Sequence, residues 1–330
     1  MNGTLKDPGV NTSLNILLMY APTPEHRERL RQAAPSARFP EARDAAEAAR
    51  LVVDADAVLG NRYFLQSLPY AKRLRWMQSN SMGVDVILRG AGERLRGVTL
   101  TCARGLYADE LADHALALVL GVARGLREAV EHYERRAWGR WSLPTLRGRR
   151  CLLLGYGATG RAIARRLSGF GVECLGVRRH AGETPATDDQ GVTVHGPDGW
   201  RALLPSVDLL IVTLPRTRET EACVGAAELA ALPSQAMVVN VGRGGVIDER
   251  ALFDRLRDGC LWGAGLDTIE REPPGPDDEV WSVPRLLLTP HVGRSLESGP
   301  PRYERLFEEN VRRFCAGEPL LHVVDQDLGY

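Results

Sequence analysis

The chain has 330 residues, 44% hydrophobic and 25% charged, enough for two domains of ordinary size. Lys plus Arg and Asp plus Glu are each 42, so the formal net charge is zero, which argues against nucleic acid or a membrane surface as the main partner. The six cysteines (102, 151, 174, 223, 260 and 315) form no CxxC pair and no zinc-ligand spacing, and no apolar run reaches transmembrane length. Reduced, mostly buried thiols in a cytoplasmic protein are expected.

The polar stretch Met1 to Ser13 lacks a signal-peptide core and reads as a loose tail. Strands are then predicted at Asn15–Tyr20, Ala57–Gly60, Leu74–Gln78 and Val98–Thr101, with helices at Glu25–Ala34 and Asp44–Leu51. Such alternation implies a parallel sheet with right-handed crossovers. From Ala108 to Ala137, Leu111, Ala115, Leu118, Val122, Leu126 and Val130 keep a helical period. That length suits one long helix spanning two domains. Trp138 and Trp141 follow, either as a contact surface or as core. Strands return at Cys151–Leu154, Val172–Val177, Val192–His195, Leu209–Leu214, Met237–Val241, Leu261–Leu266 and Leu286–Thr289. A helix at Glu249–Asp258 has Asp248 as N-cap and Gly259 as its stop. The last helix, Arg302–Ala316, is expected to return to the first domain.

The most informative segment is Cys151–Gly160, where an apolar strand runs into GxGxxG and then a helix. This is the context of the dinucleotide fingerprint. Gly155 permits the tight turn, Gly157 lets backbone approach a diphosphate, and Gly160 lets helix and strand pack. The N–H groups of the new helix, with Tyr156, Ala158 and Thr159, complete the cradle. The second strand ends in Arg178 and Arg179, where an NAD enzyme usually carries an acid. An arginine cannot accept from ribose hydroxyls but can grip a 2′-phosphate, so NADP(H) is favoured over NAD(H); the alternative is a solvated surface pair.

Three later strands end in ionisable residues: Arg243, the acids Asp267, Glu270 and Glu272, and His291. Ligands of doubly wound sheets bind beyond the carboxyl ends of the strands. Reducing a 2-oxo acid needs a hydride donor, a cation for the carboxylate and a proton donor. Arg243 has the fork for the first anion, and His291 exchanges protons near neutral pH. Glu272 is ranked above Glu270 as the carboxylate that orients the histidine. Taken singly, each of these residues reads as ordinary surface.

The segments Ser81–Asp85, Gly155–Gly160, Leu214–Thr220, Asn240–Gly244, Gly265–Asp267 with Glu272–Pro273, and Thr289–His291 resemble, in this order, those of the D-isomer-specific 2-hydroxyacid dehydrogenases. The resemblance spans Ile16 to Val324. It implies an α/β protein of two doubly wound parallel-sheet domains. A Rossmann cofactor domain, 116–293, is inserted into a flavodoxin-like substrate domain, 1–115 and 294–330. By the same resemblance Arg243, Glu272 and His291 are catalytic. Backbone at Met82 and Gly83 holds the substrate carboxylate together with Arg243. Thr213, Pro215, Val241, Arg243, Asp267, His291 and Gly293 face the cofactor, with Asp267 near the nicotinamide carboxamide. A cytoplasmic homodimer built around the long helix is expected, acting on glyoxylate or hydroxypyruvate.

Formate oxidation is disfavoured, because related formate dehydrogenases carry Gln where Glu272 stands; phosphite oxidation stays open. A non-catalytic nucleotide-sensing corepressor is the reading from another class. Arg294 either contacts a second anion or points to solvent. Ending at Tyr330, the chain is expected to lack the regulatory domain of many phosphoglycerate dehydrogenases.

Overall fold

The computed structural model describes residues 13–182, 184–294 and 302–330. The expected tail therefore lies outside the described residues, apart from Ser13. Two compact units emerge, Met1–Arg104 with Gly299–Tyr330, and Gly105–Ser298.

The first unit runs β1 (Ile16–Leu18), α1 (Pro24–Ala33), α2 (Ala45–Leu51), β2 (Ala57–Leu59), α3 (Phe64–Ser67), β3 (Trp76–Gln78), α4 (Asp85–Ala91) and β4 (Thr99–Thr101). Its strands pair in parallel in the order β1-β2-β3-β4. Parallel bridges from Arg38 and Glu41 to Asn15 and Leu18 add an edge beyond β1. With that edge the order is flavodoxin-like. Helix starts follow the sequence: the Thr23 hydroxyl accepts from His26 N before Pro24, and Asp44 accepts from Glu47 N. The C-terminal helix, Tyr303–Ala316, belongs to this unit. Phe307 and Val311 join Ile16, Leu18, Leu30 and Trp76 in one core.

The second unit runs α5 (Ala108–Ala123), α6 (Leu126–Glu134), β5 (Arg150–Leu154), α7 (Ala158–Ser168), β6 (Glu173–Val177), β7 (Ala186–Thr187), β8 (Thr193–His195), β9 (Leu209–Val212), α8 (Ala226–Ala231), β10 (Met237–Asn240), α9 (Glu249–Arg257), β11 (Gly263–Leu266) and β12 (Leu286–Leu288). Its sheet has the order β12-β11-β10-β9-β5-β6-β8-β7, all parallel except the β7–β8 edge. This is the Rossmann order, with its switch point between β5 and β9. Apart from Arg150 at the start of β5, the central strands are buried along their length, as a sheet covered on both faces requires.

Two expectations need correction here. The stretch from Ala108 to Ala137 is two helices, not one. Arg124 ends the first, and Gly125 takes a left-handed conformation at φ 60° before the second. The apolar stripe also divides at that break. Leu118 and Val122 are buried, whereas Leu126 and Val130 are exposed and α6 buries no residue. Trp138 is almost fully exposed, so it is not core, and Trp141 stacks on His132 with ring centroids 5.0 Å apart. All six cysteines are free, three of them buried. Among the described residues no helix is long and apolar enough to cross a membrane.

Candidate active site

The turn after β5 is shaped by what its glycines leave room for. Gly155 has φ 101°, and a Cβ there would come within 2.6 Å of Thr213 Oγ1. Thr213 in turn donates to Gly155 O at 2.6 Å, joining the two strand ends at the switch point. A Cβ on Gly160 would meet Gly155 O at 2.6 Å, so helix and turn touch through backbone. A Cβ on Gly157 would meet nothing within 4 Å. The first intrahelical bond runs from Arg161 N to Gly157 O, which leaves the N–H groups of Ala158, Thr159 and Gly160 without helical acceptors. Open space beside three such donors at a helix N-terminus fits a dinucleotide diphosphate. The Tyr156 side chain turns away from that open space. Its ring is buried against Gly176, and its hydroxyl donates to Asp188 at 2.7 Å. Pro215 lies on the loop after β9, and Val241 is buried just past β10.

At the carboxyl end of β11, Asp267 is buried. Its Oδ1 accepts from the Thr289 hydroxyl at 2.7 Å and Val292 N at 2.9 Å, and its Oδ2 from Gly293 N at 3.0 Å. His114 Nε2 on α5 stands 3.0 Å from Oδ1. Burial opposes the charge, but His114, Thr289 and the two N–H groups outweigh it and hold the carboxyl down at about 2. This carboxylate anchors the turn that presents His291. His291 itself has φ 53°, a strained conformation for a side chain of its size, and its N–H donates to Asp267 O at 2.9 Å. Its Nδ1 is 2.7 Å from Glu272 Oε2, and the ring is 48% exposed. Glu272 Oε1 accepts from Ile269 N at 3.0 Å, so both partners are fixed. With Nδ1–H donating to the carboxylate, Nε2 is the nitrogen able to exchange a proton. Glu270 lies elsewhere, with its carboxylate 3.2 Å from the Arg216 guanidinium.

Arg243 sits on the turn after β10, half-buried, with its Nη1 donating to Gly242 O at 2.9 Å. The turn is held by Asn240, whose side chain donates to Arg243 O and accepts from Gly242 N. A Cβ on Gly244 would overlap the Ile269 carbonyl, so the Arg243 turn packs directly on the segment leading to Glu272.

The arginines after β6 differ from each other. Arg178 is exposed, while Arg179 is half-buried and paired with Glu219 on the loop after β9. Arg294 lies over the Tyr107 ring at 4.4 Å rather than in open solvent. Met82 and Gly83 belong to the first unit, on the loop between β3 and α4. There Ser81 N donates to Ser79 Oγ, and Asn61 Nδ2 donates to Ser81 Oγ.

Residues 116–293 match the family model for the D-isomer specific 2-hydroxyacid dehydrogenase NAD binding domain. A glyoxylate reductase of Korarchaeum cryptofilum is 31% identical over 271 residues, 78% of each chain. The chain belongs to this family of NAD(P)-dependent dehydrogenases. The NADPH-dependent glyoxylate/hydroxypyruvate reductase of Sinorhizobium meliloti, solved in complex with NADP and sulfate, superposes with TM-score 0.81 at 27% identity. That match covers 96% of the dehydrogenase described here and all of the solved chain. A D-3-phosphoglycerate dehydrogenase of Archaeoglobus fulgidus is 29% identical over 257 residues, and the match spans only 48% of its length.

Three further residues at the candidate site carry no clear signal in the sequence. His114 was hidden because it sits within an apolar helical stripe. Thr289 and Arg216 stood inside quoted motifs, but nothing in their spacing announced that Thr289 would bridge His114 to Asp267, or that Arg216 would pair with Glu221 and Glu270.

Proposed function

We propose that this dehydrogenase reduces small 2-oxo acids, with glyoxylate and hydroxypyruvate as leading substrates, using NADP(H) in preference to NAD(H). The observation that carries the reading is the His291–Glu272 pair on an anchored turn at the carboxyl edge of the sheet, beside the turn that bears Arg243. When bound, the reduced nicotinamide supplies the hydride. Arg243 grips the substrate carboxylate and polarises the adjacent carbonyl through its fork. His291 Nε2 delivers the proton to the carbonyl oxygen, and Glu272 holds the ring in the orientation and tautomer for that task. Asp267 acts by fixing the backbone of Val292 and Gly293. The likeness of the Ser81–Val84 loop supports Met82 and Gly83 as further donors to the substrate carboxylate.

The NADP(H) preference rests on Arg178 and Arg179 at the end of β6, and the NADP-complexed relative is consistent with it. Residues 116–293 form the dinucleotide-binding domain in this reading, and 1–115 with 294–330 the substrate domain. The protein is a cytoplasmic homodimer. Free cysteines support the compartment, and the exposed Leu126, Val130 and Tyr133 on α6 support the dimer. The test is NADPH oxidation across a panel of 2-oxo acids, repeated with NADH. Turnover of glyoxylate or hydroxypyruvate that His291→Ala abolishes is expected. A panel with no turnover by the folded wild-type protein overturns the reading.

A further inference from the structure

We infer that Glu249 is a positioning residue, a brace that ties the Arg243 turn to the Glu272 segment and so keeps the two halves of the reaction site in one geometry. The inference rests on the roles proposed above for Arg243, Glu272 and His291.

Glu249 is the first residue of α9, directly after the N-cap Asp248. A glutamate in a first helical turn ordinarily faces water, where the helix dipole favours it. Glu249 does not. Its carboxylate turns inward, and Oε1 accepts from Glu270 N at 2.5 Å. The backbone N–H of Gly245 also faces this carboxylate and favours its charged form. Gly245 lies two residues after Arg243, and Glu270 two residues before Glu272. One side chain therefore joins the backbones of both functional segments. The segments also meet without any spacer, because Gly244 leaves no room for a Cβ against Ile269 and Glu270. Two surfaces in backbone contact can slide, and a shared acceptor between two N–H groups stops that.

The surroundings make this an expensive place for a carboxylate. Burial pushes the Glu249 carboxyl up to about 7, and Glu270 and Glu272 add to the effect. Arg216 pairs with Glu221 and Glu270 rather than with Glu249. Packing alone would be served by a neutral side chain here. A neutral amide keeps an acceptor oxygen for Glu270 N but loses the charge that strengthens the contact, and its NH2 group cannot accept.

Glu249→Ala and Glu249→Gln separate the possibilities in the full-length enzyme. Steady-state reduction of glyoxylate or hydroxypyruvate is measured together with NADPH titration by fluorescence and thermal melting. Glu249→Ala is expected to lower kcat/KM for the oxo acid by about ten- to a hundredfold, as displacement of a reacting group does. NADPH affinity stays unchanged, and Glu249→Gln recovers part of the loss. If Glu249→Ala does not fold, Glu249→Gln decides. Reduced kcat/KM with a melting temperature at or above wild type supports the brace, and wild-type kinetics overturns it. A folded Glu249→Ala enzyme with wild-type kinetics, or one that loses NADPH affinity in parallel, also overturns it. His291→Ala keeps the two failures apart. If that variant turns over normally, the proposed reaction is wrong; if it is inactive while both Glu249 variants are normal, only the brace is wrong.

Discussion

The two ends of the dinucleotide-binding unit are built on opposite plans. Around His291, every group is held by at least one other: Glu272 by Ile269 N, Asp267 by Thr289 and two backbone N–H groups, and the histidine by both acids. Around Arg178 the side chains stand at the surface, and the half-buried Arg179 reaches Glu219 across an exposed ion pair. Exposed pairs contribute little to stability, so that end can change identity cheaply. The buried turn cannot, because each member is the hydrogen-bond partner of another. In the proposed reading, chemistry is placed where the fold over-determines the geometry, and cofactor choice where it does not.

The largest effect that tests this contrast is at the histidine. His291→Ala is expected to lower kcat by roughly a hundred- to ten-thousandfold, as loss of a general acid does, with little change in cofactor affinity. Steady-state kinetics and a fluorescence titration measure both, and near-normal kcat would erase the difference in plan. Next comes the open end. Arg178→Asp removes one charged contact worth about 1.5–3 kcal/mol, or roughly ten- to a hundredfold in NADPH kcat/KM, and should leave the melting temperature intact. A wild-type enzyme that already prefers NADH would remove the basis for this expectation.

A third test reads the rigidity of the buried end through acid titration. The Asp267 carboxyl sits at about 2 in the fold against an ordinary 3.8. Its folded value is depressed, so its stabilisation is complete above 3.8 and is lost as pH falls through 2. The difference corresponds to about 2 kcal/mol. Melting curves of wild type and Asp267→Asn should therefore converge as pH drops from 5 to 2. Parallel curves would mean that the carboxylate charge is not what anchors the turn. A fourth test concerns Glu249, whose folded value of about 7 is raised from 4.5. The sign reverses here. The neutral acid is favoured in the fold, and that advantage shrinks as pH rises from 4.5 through 7. Glu249→Gln should gain in relative melting temperature between pH 5 and pH 8, and a constant gap would contradict the burial argument.

The parts of this molecule that were legible in the sequence share a cause. Gly155, Gly157 and Gly160 mark backbone that tolerates no side chain or approaches a ligand, and such constraints leave a glycine in a fixed place. The placement of Arg243, Glu272 and His291 after strands on one edge of a parallel sheet, and the pairing of Glu272 with His291, were legible from the strand pattern. The burial of the Tyr156 ring against Gly176 was not legible, since the spacing of a fingerprint says nothing about where an intervening side chain turns. The break at Gly125 carried a signal, an isolated glycine inside a helical pattern, but the apolar period runs through it unbroken. The short edge strand Ala186–Thr187 is exposed on both residues and left no alternation to detect. His114 shows the deeper limit, because its partners lie more than 150 residues away and only the fold brings them together.

The seat of Tyr156 against Gly176 has a bearing on ancestry. A Cβ on Gly176 would come within 2.5 Å of the Tyr156 ring, so the turn after β5 and this position on β6 share one volume. A large residue at the first is compatible only with glycine at the second. Lineages that trade the tyrosine for a small residue are free to fill position 176, while those that keep it are not. The pair should therefore drift together through the family, passing from one combination to the other by way of the state with a vacancy rather than the one with a clash.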